Sequence, residues 1–138
     1  MQRIISQIHQ WSVRIFMVGI LLQFYLAGAA LFGVGLSFQP HRMLGDAITI
    51  LSIFFPVLAL VGRMGRKLVG LSALLTVLTI VQVALPSLRE NVPWIAALHP
   101  INALALMGVG IRILRTSRAE APQVNDAESH GEISPAGL

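Results

Sequence analysis

The sequence predicts an all-α integral membrane protein, a four-helix bundle, and three observations predict it. Hydrophobic residues make up 55% of the chain and charged residues only 12%, against about a quarter charged in a soluble domain. The apolar residues gather in four blocks, Trp11–Phe32, His41–Gly62, Leu68–Leu85 and Trp94–Leu114. Each block approaches the roughly 20 residues that a helix needs to cross a bilayer. The apolar–polar alternation that a closed β-barrel would need is absent from them.

The first block follows a basic start and contains "LAGAA" (Leu26 to Ala30). Small residues there suit helix packing in a membrane, and a cleavable signal peptide is the competing reading of the same features. "LFGVGLSFQP" (Leu31 to Pro40) reads as the first connection, with Pro40 at the first turn of the second helix, where a missing N–H costs nothing. Pro56 should bend that helix near its middle. "PSLRENVP" (Pro86 to Pro93) is the matching connection in the second half. The fourth helix then starts either near Pro93, with Pro100 kinking it one turn in, or at Pro100 with His99 as its cap. Residues 1–115 form the transmembrane domain. From Thr116 to residue 138 the chain is polar, acidic and rich in Pro and Gly, which predicts a disordered cytoplasmic tail, with His130 solvated in it.

The two halves resemble each other. Gln23 lies 18 residues before His41 and Gln82 lies 17 before His99, and each histidine is followed four positions later by a small residue, Gly45 or Ala103. That spacing is one helical turn. Two parallel helix-pair repeats, each with its connection on the same side, account for the agreement, and so does chance in apolar sequence.

Basic residues set the orientation. Arg3 and Arg14 begin the chain, Arg63, Arg66 and Lys67 join the middle helices, and Arg112, Arg115 and Arg118 follow the fourth, leaving only Arg42 and Arg89 on the other side. The positive-inside rule places both termini in the cytoplasm of a multi-pass protein of the inner (plasma) membrane. The net charge of +4 then reports topology, and no nucleic-acid partner is expected, because the charges are spread over membrane edges. The chain has no cysteine, which excludes disulfides, thiol catalysis and iron–sulfur ligation.

His41 and His99 are the candidate functional residues. Both belong to segments running inward from the outer face, at similar depth, as the two axial ligands of one six-coordinate haem b iron would. Gly45 and Ala103 would admit a macrocycle, Arg42 and Arg89 would meet its propionates, and Asn102, Gln23 and Gln82 would hold the imidazole N–H groups that do not bind iron. Asp46, five residues past His41, sits about 7–8 Å deeper in a regular helix. An acid at that depth is expected to face the bundle interior or water and to pair with His41, Arg42, Asn102 or Gln82. His9 is expected to precede the first span. The bland reading is that such histidines face headgroup water or act as interhelical hydrogen-bond glue. Zinc would want three or four ligands, where only two histidines and one aspartate converge, and Met43 and Met107 as copper thioether ligands read more simply as helix filling.

The pattern "QFYLAG … HRMLG … LHPINALAL" resembles an uncharacterised family of small prokaryotic four-helix membrane proteins, with LAG, H-R-x-L-G and L-H-P-x-N-A motifs, over residues 10 to 115. His41, Gly45, His99 and Asn102 fall on its motif positions, and the resemblance implies fold and site more than activity. A weaker resemblance is to cytochrome b561-type haem proteins, whose four-helix cores hold two haems; with no inner histidine pair expected here, it implies one haem at most. The leading expectation is therefore a haem b redox protein passing electrons to quinone or to a membrane redox protein. The alternatives are a non-enzymatic subunit whose His/Asp/Asn network fixes packing or docks a partner, and a small transporter built on Asp46.

Overall fold

The computed structural model describes residues 1–119; the expected tail from residue 120 onward, with His130, lies outside the described residues. Four long helices form the bundle: α1 (Gln2–Leu31), α2 (Gln39–Val61), α3 (Arg66–Ala84) and α5 (His99–Ala119). A 3-10 turn (Leu85–Leu88) and the one-turn helix α4 (Pro93–Ala96) connect α3 to α5. The four long segments are long and apolar enough to cross a membrane, and the chain is a multi-pass membrane protein. The last helix begins at His99, the later of its two expected starts, and runs past Thr116 to Ala119.

Each long helix packs on two others, α1 on α2 and α5, and α3 on α2 and α5, so α1/α3 and α2/α5 are the diagonals of a closed square. Ile5 near the start of α1 lies against Gly62, beside the α2–α3 connection. That end is the terminal end; His41, His99 and the other two connections mark the histidine end. Along α1, 21 residues separate Trp11 from Phe32, about 31 Å, which matches a hydrocarbon core of about 30 Å. Trp11 is exposed, with the Arg14 guanidinium 4.6 Å above its ring, and Trp94 is exposed at the histidine end. Such amphipathic rings settle at membrane–water interfaces.

The two halves share a burial pattern in the core. His9, Val13, Phe16 and Ile20 of α1 are buried, and so are Leu68, Ser72, Leu75 and Thr79 of α3, each 59 positions later. Gly45, Ile48, Ser52, Phe55 and Ala59 of α2 are matched by Ala103, Leu106, Gly110, Ile113 and Ser117 of α5, each 58 positions later. The burial registers of α1 and α3, and of α2 and α5, agree as those of parallel repeats would.

Pro56 lacks an N–H, so the carbonyl of Ser52 one turn earlier loses its helical donor. Thr76 of α3 supplies one: its hydroxyl donates to Ser52 O at 2.6 Å and to its own helix at Ser72 O at 3.1 Å. A neighbouring helix thus satisfies the backbone group that proline frees, as a dry membrane interior demands. The α1–α2 connection turns on Gly33 (φ 69°) and Gly35 (φ 74°), both in the left-handed region that a side chain disfavours.

Candidate functional site

The histidine end is built from the ends of all four long helices around a cavity of about 820 Å³, lined in part by Gln23, His41, Gln82 and His99 and floored by Thr79 and Leu106. His41 and His99 come from the diagonal helices α2 and α5, yet their ring centres lie 6.2 Å apart across the bundle, with planes inclined at 57°. Phe38 meets His41 edge-on at 6.2 Å.

Equivalent backbone bonds hold both rings. His41 Nδ1 lies 3.1 Å from Gln23 O, and His99 Nδ1 lies 2.9 Å from Gln82 O. A carbonyl oxygen only accepts, so Nδ1 carries the proton in both rings and each Nε2 is left with its lone pair in the neutral form. The two glutamines thus meet the imidazole N–H groups through their main-chain oxygens.

Beyond that shared feature the halves differ. On the α3/α5 side the Gln82 amide, 3.1 Å from His99 Nε2, donates to it. Asn102 Nδ2 donates to Gln82 Oε1 at 2.7 Å and to Leu78 O at 2.9 Å. Asn102 therefore acts on His99 through Gln82. On the α1/α2 side the Gln23 amide occupies the space above Gly45: its Nε2 lies 2.9 Å from where a Cβ on Gly45 would sit. Gln23 Oε1 is buried and has no hydrogen-bond partner among the described residues. Leu44 stands 58 positions before Asn102, so this half has no counterpart for the amide that steadies Gln82.

Arg42 and Asp46 both line the cavity and both are exposed. Of the two environments expected for Asp46, the structure gives it the exposed one rather than the packed interior, and among the described residues neither side chain forms an ion pair. Arg89 is paired with Glu90 at 3.7 Å, a solvent-exposed contact of little energetic weight. Among the described residues no group of three or more His, Asp or Glu side chains gathers, so a metal held here would rest on two imidazoles.

His9 departs from expectation. It lies inside α1, wholly buried, with Nε2 2.9 Å from Ser72 Oγ on the diagonal helix α3 and its ring edge-on to Phe55 at 6.2 Å. Its Nδ1 has no partner among the described residues. A serine beside an imidazole suggests nucleophilic catalysis, but among the described residues no acid orients this ring, and the pair is buried in the core. The sequence signal that could have located His9 is the periodicity His9–Val13–Phe16–Ile20, which extends the apolar face one turn ahead of Trp11.

The chain is similar to a family of unknown function (DUF6220) over residues 23–88. The matched segment holds Gln23, His41, Gly45, Asp46 and Gln82 and stops short of His99 and Asn102. No curated protein and no solved structure matches the chain.

Proposed function

We propose that this protein is a small membrane redox protein of the inner (plasma) membrane, with cytoplasmic termini, that holds one haem b through His41 and His99 and exchanges electrons with quinone or a membrane redox protein. The observation that carries the reading is the pair of cross-bundle imidazoles with ring centres 6.2 Å apart. With metal–imidazole bonds of about 2 Å, rings at about that spacing suit one shared ion. The carbonyls on both Nδ1–H groups leave each Nε2 as a base, the usual outer-shell support for a ligating histidine. Arg42, exposed at the cavity, suits a propionate. Bound haem b would supply one-electron transfer; the protein's part is to orient the two imidazoles.

A second reading rests on its own observation. The Gln82 amide already donates to the lone pair of His99, and the Gln23 amide fills the gap above Gly45. This favours a packing or docking subunit whose histidines lock helices together. A transporter built on Asp46 has less behind it, since that carboxylate is exposed rather than enclosed.

An absorption spectrum of protein purified from haem-replete cells separates the first two readings. Two-imidazole ligation gives a sharp Soret band and split α/β bands on reduction, lost in His41→Ala and in His99→Ala. Colourless protein that cannot be reconstituted with haem, and whose alanine variants only melt earlier, establishes the packing role instead.

A further inference from the structure

We propose that the acidic segment 120–138 docks on the basic connection between α2 and α3, as a cover that the chain carries for its own terminal end. Charge is segregated along this chain. Arg3, Arg63, Arg66 and Lys67 are exposed at the terminal end, and among the described residues no acid stands there and none of the four is in an ion pair. Arg66 and Lys67 also occupy the first turn of α3, which has no acidic residue and no side-chain cap, the end of a helix where cations are unfavourable. Four of the six acidic residues, Glu120, Asp126, Glu128 and Glu132, follow α5 with no lysine or arginine among them. Topology accounts for the cations. It does not account for acids, which contribute little to orientation, gathering in the segment that leaves the bundle beside them.

Placement favours this segment over lipid as the occupant. Ile5 lies against Gly62 and is six residues before Trp11, about 9 Å along α1 on its water side. Arg63, Arg66 and Lys67 follow Gly62, so they stand beyond the Trp11 level by more than a headgroup layer of roughly 5–8 Å. Arg14, stacked on Trp11, is the cation placed to meet headgroups.

The acids are within reach. From the contact of Asn102 with Leu78, the bundle descends 17 residues of α5 to Ala119 and 11 of α3 to Lys67, so the two stand within about 9 Å of one level. α5 packs on α3, and packed helix axes lie about 8–10 Å apart. Asp126 is seven residues past Ala119, and an extended chain of that length spans about 23 Å. Exposed ion pairs are weak singly, but a tether holds these acids at a high effective concentration, so several pairs act together. The docked segment neutralises the connection and shields it from acidic partners, and salt uncovers it. No haem enters, so the proposal is independent of the redox reading.

Lys67 is the only lysine, which permits a zero-length test, since a carbodiimide joins an amine to a carboxylate only where the two touch. In the full chain, in phosphatidylcholine nanodiscs at low salt, peptide mapping should find Lys67 linked to Asp126, Glu128 or Glu132. Mixing isotope-labelled with unlabelled protein identifies links between molecules. The link should be lost at about 1 M salt, where the Debye length is about 3 Å, and in Lys67→Arg, which keeps the charge and removes the amine. Trypsin should cut the connection several-fold faster in the full chain carrying Asp126→Asn, Glu128→Gln and Glu132→Gln, with an unchanged circular dichroism spectrum. No link to Lys67 while its amine still reacts with a small acylating reagent overturns the proposal, and so does a link found only between molecules. A link lost when phosphatidylglycerol replaces phosphatidylcholine assigns the connection to lipid and overturns it as well.

Discussion

At the scale of single residues, the bond from Thr76 to the Ser52 carbonyl shows how a defect in one helix is met by another. Pro56 removes a donor, and the neighbouring hydroxyl replaces it at 2.6 Å. Thr76→Val keeps the shape and removes the hydroxyl, so a carbonyl is left bare in the core. We expect a loss of about 1–2 kcal/mol, read as a lower unfolding midpoint in detergent, and near-complete retention in Thr76→Ser. A Thr76→Val protein as stable as wild type would show that the carbonyl finds another donor. The same scale explains why part of the site was hidden in the sequence. His41 and His99 stand out as polar residues at the mouths of apolar runs. That their partners would be the main-chain oxygens of Gln23 and Gln82 depends on helix pairing, which spacing alone does not specify. Depth alone leaves Asp46 facing either the interior or water, and helical phase decides between them: it follows buried Gly45 by 100° and points away from Ile48 and Ser52.

Between elements, close approach depends on missing side chains. A Cβ on Gly19 of α1 would lie 2.8 Å from Ile48 Cγ2 of α2, too near for a packed β-branched side chain to yield without moving its helix. Gly19→Ala should destabilise the α1/α2 contact by about 1–3 kcal/mol. Gly28→Ala, on the same helix with nothing within 4 Å of the new carbon, should be neutral or gain up to about 1 kcal/mol. Thermal melts of the two variants side by side check both; equal shifts would refute the close contact. Helix number and character were legible, since four apolar runs of membrane length leave few other folds. The ends were less so. The apolar run begins at Trp11, yet α1 starts at Gln2 and carries His9 into the core. Polar residues on the outer face of a protruding turn obscure an inner face that continues the core.

Over the whole molecule, the even number of spans puts the two ends of the bundle to different uses. The terminal end gathers Arg3, Arg63, Arg66 and Lys67, and the histidine end holds the cavity. The positive-inside bias predicts that reporter fusions at Ser87 read as external and fusions at residue 138 as cytoplasmic. Both reporters on one side of the membrane would overturn the span count.

The matched burial registers of α1 with α3 and of α2 with α5 carry a consequence for manufacture. Only Arg63 to Gly65 join the two hairpins, and core contacts are made between the hairpins as well as within them. The halves are not interchangeable, since Asn102 stands where the first half has Leu44, and His9 where the second has Leu68. Two genes, each encoding one hairpin, are expected to yield the same bundle when expressed together, which co-purification of a tagged half with its untagged partner checks.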